Sequence, residues 1–274
     1  ADGQLNVVTI EDPVEYPIPG AVQIAVPTTG SGEERGKHFR EALMHFCRVH
    51  PASGMVSEIR DADAARQVLQ FIDTGHQVWT TIHVHSANAI LFRLLDMGVG
   101  TAEVCKPGNI ELLMKQTLLP RLCDGCALER PAGTRAVPEW LWRHLRDWPR
   151  VRFRNPEGCE ACNRDGGGAV SGRSSVARRS LVAGRAWNGY ARQTAIAEAI
   201  RPDAPYLSYV RQRDPAGAWE HWVREMGGRP IGARIWALVA AGKADPFDAL
   251  RKGARVDQAA AVDPDARPAG SGEP

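Results

Sequence analysis

Residues 54–83 read GMVSEIRDADAARQVLQFIDTGHQVWTTIH, and this stretch decides the expected fold. Between Asp61 and Gly75 the apolar residues recur at the i, i+3, i+4, i+7 spacing of one helix face. Asp61 is a suitable N-cap, and Gly75 is a suitable stop after the last turn. A short apolar run precedes the helix, and β-branched and aromatic residues follow it at 77–82, so a strand is expected on each side. The stretch is typical of a right-handed βαβ unit with parallel strands.

Polar side chains follow three of the expected strands. Glu58 and His83 come directly after the two strands of the βαβ unit, and a third buried strand is expected at residues 5–10. In open parallel sheets ligands bind at the carboxyl ends of the strands. The carboxylates that follow residues 5–10 are Glu11, Asp12 and Glu15. Carboxylates at this edge can bind Mg²⁺ or orient a water molecule. The alternative for these three is a solvated acidic turn.

Composition limits the class of protein. The chain has 274 residues, a net charge of +2 and 43% hydrophobic residues, enough for one or two globular domains. The near-neutral charge does not favour a nucleic-acid-binding protein. The sequence shows neither a transmembrane segment nor a signal peptide, so a cytoplasmic protein is expected. Because the chain begins at Ala1 shortly before a strand, we expect a fragment of a longer protein.

Residues 28–37, TTGSGEERGK, resemble a phosphate-binding P-loop only superficially. The P-loop needs four residues between its glycines, whereas five lie between Gly30 and Gly36 and three between Gly32 and Gly36. Lys37 is also followed by histidine instead of serine or threonine. We therefore predict a polar hairpin or loop here and no P-loop in this chain.

Helical patterns cover much of the rest of the chain. The spacing of apolar residues and the positions of Gly, Ser and Pro predict helices over 39–51, 86–98, 109–119, 191–200, 218–226 and 231–241. Glycine-rich stretches at 166–168 and 171–175 predict flexible connections. The basic pair at 178–179 is interpreted as a solvated surface. Residues after about 257 lack periodicity and predict a disordered tail.

The cysteine spacing gives the second strong signal. Two CxxC pairs are separated by 32 residues, and four thiolates in this arrangement suit a tetrahedral structural Zn²⁺ site. A pair of redox motifs or two disulfides is the alternative. Cys47 and Cys105 are interpreted as buried structural thiols. The candidate metal ligands are Cys123, Cys126, Cys159 and Cys162.

Several ordered motifs together resemble one protein family. The resemblance lies in TIEDPVEY at 9–16, SEIRD at 57–61, TGHQVWTTIH at 74–83, LLDMGV at 94–99 and the two CxxC pairs. These are similar to the Asp box, Walker B region, His box and tetracysteine module of the hexameric ATPases of type II secretion and type IV pili. The resemblance covers roughly residues 5–250, and within the family the sequence most resembles the thin-pilus ATPases of conjugative plasmids. Since retraction motors generally lack the cysteine module, the resemblance favours assembly or export.

The resemblance implies roles for individual carboxylates. Glu15 would help to activate the attacking water, and Glu11 and Asp12 would shape the same box near Mg²⁺. Glu58 would act on the metal or its water at the Walker B position, where the family usually has a glycine before the glutamate. Arg60 would support the turn of Walker B.

Further residues would handle the nucleotide. His76 and His83 would form the pair that senses or contacts the phosphates of ATP. Phosphoryl transfer depends mainly on positioned charge, which such groups supply. Since the Walker A lysine and the arginines contributed by the family's N-terminal domain are absent, we expect them upstream of Ala1, and this chain alone should hydrolyse little ATP.

The resemblance also implies an architecture. We expect an α/β fold with part of a RecA-like parallel sheet at 1–120, a zinc module at 121–175, a helical subdomain at 176–256 and a disordered tail at 257–274. The intact protein would be a cytoplasmic homo-hexamer, peripheral at the inner membrane, that uses ATP to move pilins or pseudopilins through a membrane platform protein. A non-catalytic RecA-like interaction module containing zinc is the alternative.

Overall fold

The computed structural model describes residues 6–27, 32–49, 51–131, 136–164 and 188–255. Its elements are, in chain order, β1 (Val7–Glu11), β2 (Ala21–Ala25), α1 (Gly32–Arg48), β3 (Ser53–Val56), α2 (Ala62–Asp73), β4 (Gln77–Thr80), α3 (Ala89–Asp96), α4 (Thr101–Val104), β5 (Leu113–Leu122), α5 (Glu139–Leu145), α6 (Glu160–Arg164), β6 (Tyr190–Ile200), α7 (Ala204–Arg211), α8 (Pro215–Arg224), α9 (Ile231–Ala240) and α10 (Pro246–Arg251).

The chain folds into two units that each contain a hydrophobic core. Unit 1 comprises Ala1–Met114 and Ala199–Gly227, and unit 2 comprises Lys115–Glu198 and Gly228–Pro274. The α7–α8 pair therefore belongs to unit 1, whereas α9 and α10 belong to unit 2. The helical subdomain expected at 176–256 is thus divided between the two units.

Unit 1 is built on a four-stranded parallel sheet in the order β2-β1-β3-β4. The predicted βαβ unit is confirmed, because β3 and β4 pair in parallel and α2 lies between them in sequence. Asp61 caps α2 by accepting a hydrogen bond from the Ala64 amide at 2.8 Å. Gly75 ends the helix with a φ of +90°, a conformation that favours glycine. The β4 strand ends at Thr80, two residues earlier than predicted.

The prediction of a loop at 28–37 is wrong for residues 32–37. The α1 helix already begins at Gly32 and continues to Arg48, so the helix predicted from residue 39 has seven further residues at its start. Glu, Arg and Lys have high helix propensity, which extends the helix through a segment whose glycines suggested a turn. Leu43 and Phe46 of α1 are buried in the core of unit 1.

Two further predicted helices are strands. Residues predicted as helices at 109–119 and 191–200 form most of β5 and β6, which pair in a two-stranded sheet. In β6 every second residue near the end is buried, namely Ile196, Glu198 and Ile200. This alternation is the pattern of a strand with one buried face. Burial of that face overrides the helix propensity of the alanines between the three buried residues.

The later helices agree better with their patterns. The helices predicted at 218–226 and 231–241 are confirmed as α8 and α9, whereas α7 and α10 were not predicted. Among the described residues, no helix is both long and apolar enough to cross a membrane. The predictions for 166–168, 171–175, 178–179 and 257–274 lie outside the described residues.

Candidate functional site

The carboxyl ends of three strands of unit 1 continue into loops that hydrogen bonds hold in register. The Ser57 amide donates to the Ile10 carbonyl at 2.9 Å, and the Ile59 amide donates to the Thr81 carbonyl at 2.9 Å. The Thr81 hydroxyl donates to the Ser57 carbonyl. The parallel ladder therefore extends past the strand ends, and it fixes the backbone that carries the polar side chains of this edge.

Arg60 joins two of the predicted site residues. Its Nε lies 2.8 Å from Glu58 Oε2, and its Nη1 lies 2.9 Å from Asp12 Oδ2. The hydrogen bond to Glu58, with a further contribution from Asp12, raises the pKa of Arg60 above its ordinary value although burial acts against this. The guanidinium thus holds the carboxylate after β1 beside the carboxylate after β3. We call Asp12, Glu58, Arg60 and His83 the edge cluster.

His83 completes the edge cluster from the loop after β4. Its Nε2 lies 3.1 Å from Glu58 Oε1, so Glu58 contacts Arg60 with one oxygen and His83 with the other. The His83 side chain is 95% exposed, whereas that of Glu58 is 20% exposed. An imidazole in this position is free to turn toward a ligand, since the protein covers almost none of it. The expectation that Glu58 and His83 share one edge of the sheet is confirmed.

Glu11 has a different environment from the edge cluster. It is buried, and its Oε1 accepts hydrogen bonds from the Thr9 hydroxyl at 2.6 Å and from Gln23 Nε2 at 2.7 Å. Gln23 also binds the loop after β1, because its Nε2 donates to the Tyr16 carbonyl and its Oε1 accepts from the Ile18 amide. These bonds engage Glu11 within the sheet, where it helps to fix the shape of the loop that contains Glu15.

Two predicted site residues lie apart from the edge cluster. Glu15 is exposed in the loop after β1, three residues beyond Asp12. His76 precedes β4, at the opposite end of that strand from His83. Its ring stacks on Phe71 with centroids 4.2 Å apart, and its Nδ1 lies 2.9 Å from Thr74 Oγ1. The structure therefore brings four of the seven predicted site residues into contact, and the catalytic and nucleotide-binding roles of all seven stay predictions.

Sequence reasoning missed the residues that support this edge. Gln23 lies in β2, and its amide bonds both Glu11 and the loop after β1. Thr81 follows β4 and bonds the loop that precedes Glu58. Neither residue stands out in the sequence, because a single polar residue in a strand has no spacing pattern to reveal it. Thr81 had one available signal, namely its position at the same strand end as His83.

The four predicted metal ligands lie together in unit 2. Their sulfur atoms are all within 4.8 Å of one another. Cys123 and Cys159 sulfurs are 3.8 Å apart, as are those of Cys159 and Cys162, and Cys126 and Cys162 sulfurs are 3.9 Å apart. Tetrahedral Zn²⁺ with Zn–S bonds of about 2.3 Å requires sulfurs about 3.8 Å apart. The four cysteines are free thiols and could hold a metal ion.

Hydrogen bonds around the cysteine cluster suit thiolates. Backbone amides of Cys159 and Gly189 donate to the Cys162 sulfur at 3.1 and 3.3 Å. Burial raises the pKa of Cys123 and, more strongly, that of Cys126. Hydrogen bonding from the Cys162 backbone lowers the pKa of Cys159 to about 7. A bound cation would offset the cost of placing several thiolates so close together.

The first CxxC pair is anchored by charged groups. Asp124 accepts hydrogen bonds from Arg152 Nη2 at 2.8 Å and from Lys243 Nζ at 3.2 Å. The Arg152 hydrogen bond, with a smaller contribution from Lys243, lowers the pKa of Asp124. Arg152 Nε also donates to the Gly242 carbonyl at 3.0 Å. The loop that contains Cys123 and Cys126 is thereby joined to the turn between α9 and α10.

The chain combines a parallel α/β sheet, with charged side chains at the carboxyl ends of its strands, and a cluster of four cysteines that could hold a metal ion. A family model described as "Type II/IV secretion system protein" matches residues 1–218. The chain belongs to the type II/IV secretion system protein family, as the sequence motifs predicted.

Relatives of known name support the same family. The chain is 34% identical to the type II secretion system protein HxcR of Pseudomonas aeruginosa over 171 residues, which are 62% of this chain and 30% of that protein. It is 33% identical to the type IV pilus assembly ATPase PilB of the same species over 163 residues, 58% of this chain and 26% of that protein. The chain therefore spans less than a third of the length of these relatives.

Solved structures support the fold. The pilus retraction motor PilT with bound ADP aligns with a TM-score of 0.54 and 17% identity, covering 90% of this chain and 52% of PilT. The Legionella pneumophila ATPase DotB aligns with a TM-score of 0.54 and 16% identity, covering 92% of this chain and 52% of DotB. At this identity the alignments establish the likeness of the fold alone.

Proposed function

We propose that this chain is the C-terminal part of an ATP-hydrolysing motor that assembles type IV (thin) pili or drives type II secretion. The observation that carries the proposal is the edge cluster, in which side chains from the loops after three neighbouring strands meet at the carboxyl ends of a parallel sheet. Ligands bind at that edge in open α/β sheets. Because the chain belongs to a family that includes pilus assembly ATPases, the ligand that we propose for this edge is a nucleotide with Mg²⁺.

The proposal assigns the chemistry to charged groups of this edge. Glu58 and Asp12 supply oxygen atoms of the kind that Mg²⁺ prefers, either directly or through its water molecules. Mg²⁺ would neutralise charge on the phosphates of ATP. Arg60 holds the two carboxylates beside each other, and the exposed imidazole of His83 can contact a phosphate. Glu15, exposed on the neighbouring loop, is assigned to the attacking water, and His76 to sensing the nucleotide from the other end of β4.

We assign structural Zn²⁺ to the cysteine cluster. The sulfur separations of 3.8–3.9 Å fit tetrahedral Zn²⁺, and four thiolates leave no open coordination position for a substrate. Cys123, Cys126, Cys159 and Cys162 would hold the ion and cross-link the ends of the segment between the two CxxC pairs. This role is structural, so the proposal places no catalytic step at zinc.

The intact motor would act as a homo-hexamer at the cytoplasmic face of the inner membrane, in contact with a platform protein. The support for these partners is the family itself, whose named members include a pilus assembly ATPase and secretion proteins. The 274 residues contain no G-x-x-x-x-G-K-[ST] pattern. We therefore propose that the chain alone hydrolyses little or no ATP and that the complete protein contains the phosphate-binding loop elsewhere.

The test is Mg²⁺-dependent ATP hydrolysis by the complete protein and by this chain. We expect turnover by the complete protein, a loss of about 100-fold or more in the Glu58→Gln variant, and no turnover above background by the chain alone. Gln keeps the size of the side chain and removes its charge. The matched control is Glu139→Gln, at an exposed position in α5, which should hydrolyse ATP at the rate of the unaltered protein.

A second candidate is supported by the same absence of a P-loop pattern in the sequence. In this alternative the RecA-like sheet and the cysteine module form a non-catalytic interaction module. Failure of the complete protein to bind or hydrolyse nucleotide, while the cysteine cluster still binds its metal, would favour this alternative over the motor.

A further inference from the structure

The segment of residues 81–88 runs from the edge cluster to the start of α3 and is held at both ends. At its first end the Thr81 hydroxyl donates to the carbonyl of Ser57, just before Glu58, and the Thr81 carbonyl accepts from the amide of Ile59, just after it. His83 then contacts Glu58. At its last end Asn88 is buried, with only 7% of its surface exposed. Whatever binds Asn88 therefore acts on the same short segment that presents His83.

The groups that bind Asn88 come from the α7–α8 pair, more than a hundred residues later in the chain. The Tyr206 hydroxyl donates to Asn88 Oδ1 at 2.8 Å, and Asn88 Nδ2 donates to the Pro215 carbonyl at 3.0 Å. Tyr206 is fully buried. Both ends of the Asn88 amide are thus engaged, one by α7 and the other by the first residue of α8. A buried polar pair of this kind is costly to break, because each partner would be left without its hydrogen bond.

Asn88 does not serve its own helix. It occupies the N-cap position of α3, where asparagine usually accepts a hydrogen bond from the helix, yet its side chain makes no capping bond. Ser86 Oγ accepts from the Ala89 amide at 3.2 Å instead. The Asn88 amide is therefore committed to contacts with the α7–α8 pair. A role in capping α3 therefore does not explain the two hydrogen bonds of the Asn88 side chain.

The α7–α8 pair is fixed to α3 and α4 at other points as well. Arg213 Nη1 lies 3.2 Å from Asp96 Oδ1 at the end of α3, and Arg211 Nη2 donates to the Cys105 carbonyl at 3.0 Å. Arg213 has a φ of +54°, a conformation that few residues other than glycine adopt. The pair contacts both ends of α3, so it can set the position of that helix and of the segment before it.

We propose that Asn88 is a positioning residue through which the α7–α8 pair sets the place of the His83 segment against Glu58. This inference rests on the proposed function, since it concerns the edge assigned to the nucleotide.

The first test measures amide hydrogen exchange in this chain, where no nucleotide is needed. In Tyr206→Phe we expect the Ala89 and Ile90 amides, both bonded to residues 86–87, to exchange about tenfold faster than in the unaltered protein, with α2 unchanged. Tyr209→Phe removes a hydroxyl from the same helix without touching Asn88 and should leave these rates as they are. Asn88→Ala should reproduce the Tyr206→Phe pattern, and the double variant should show little more than either single change.

Two outcomes would overturn the inference. Unchanged exchange at Ala89 and Ile90 in Tyr206→Phe would show that the hydroxyl does not hold the segment. Equal acceleration throughout α2 and α3 would show that it contributes to global stability alone.

The second test is kinetic and uses the complete protein. Tyr206→Phe should lower kcat for ATP hydrolysis about tenfold with KM changed less than twofold, because the displaced His83 would no longer reach the phosphate as its charge changes in the transition state, while the other nucleotide contacts are kept. An unaltered kcat would refute the link to hydrolysis. If the unaltered protein hydrolyses no ATP, the proposed function fails, while hydrogen exchange still decides whether Asn88 positions the segment.

Discussion

Gly54 is a residue whose missing side chain matters for packing. It is buried in β3, and a Cβ added there would lie 1.9 Å from Phe46 Cζ of α1. Phe46 is itself buried and packs against Phe71 with centroids 4.7 Å apart, so its ring can move away from the added Cβ only by disturbing that contact. We expect Gly54→Ala to lower the free energy of unfolding by about 1–3 kcal/mol through overpacking. Urea denaturation followed by circular dichroism would measure this change.

Gly36→Ala provides the matched control for Gly54. Gly36 lies within α1, and a Cβ there would meet only the end of the Arg40 side chain at 3.4 Å. Alanine in a helix loses less backbone entropy on folding than glycine, so this variant should be more stable by about 0.5–1 kcal/mol. A loss of stability in Gly36→Ala as large as that in Gly54→Ala would refute the overpacking explanation.

We expect Asp203 to make unit 1 sensitive to acid. It caps α7 by accepting from the Tyr206 amide at 2.8 Å and lies 2.9 Å from His221 Nε2 of α8. Burial opposes the charged form, but the Tyr206 amide and then His221 outweigh it and lower the pKa of Asp203. Because the folded pKa is below the unfolded one, the stabilisation is complete above an unfolded pKa of about 3.9 and is lost as pH falls through the folded pKa.

The variant Asp203→Asn tests this acid sensitivity. Asparagine can still cap the helix but does not titrate. Unfolding free energies measured between pH 6 and pH 2.5 should fall less steeply in Asp203→Asn than in the unaltered chain. Parallel curves for the two proteins would show that Asp203 contributes nothing to the acid sensitivity.

Secondary structure elements differ in how far local sequence determines them. The βαβ unit of β3, α2 and β4 was predictable, because its capping residues, helical spacing and β-branched strand all favour the same structure. In β6, alanines and a glutamate suggested a helix, although Ile196, Glu198 and Ile200 alternate as a strand requires. Glu198 is buried, and its Oε2 accepts a hydrogen bond from the Ile231 amide at 2.8 Å. This contact with α9 cannot be predicted from the local sequence of β6.

The elements around the cysteine cluster should depend on its metal. Cys123 follows β5 directly, and Cys162 lies in α6, so loss of one ligand releases both. We expect Cys123→Ser to lower bound zinc from about one ion per chain to well below one and to speed amide exchange at 123–131 and 153–162. Mass spectrometry with elemental metal analysis would measure both effects. Cys105→Ala, which removes a buried thiol outside the cluster, should retain the zinc. Full zinc content in Cys123→Ser would contradict the four-ligand assignment.

On the scale of the whole molecule, the candidate site was predictable in part. The rule that parallel strands place their carboxyl ends at one edge correctly joined Glu58 with His83 and Asp12. The rule gives no account of contacts from distant parts of the chain, such as Tyr206 on Asn88, 118 residues apart. Such pairs depend on which helices pack together, and the apolar spacing of α3 or α7 alone does not specify the partner helix.

The two units have separate cores, which leads to a prediction about thermal unfolding. The core of unit 1 includes Ile10, Leu91 and Trp222, whereas that of unit 2 includes Leu141 and Trp236. The cysteine cluster lies in unit 2 alone. Because a bound metal stabilises only the folded state that holds it, calorimetry should resolve two transitions, of which a chelator lowers only one. Hydrogen exchange measured near the transition that the chelator lowers should assign that transition to β5, β6 and α9. A single transition that moves as a whole when the chelator is added would show instead that the units unfold as one cooperative structure.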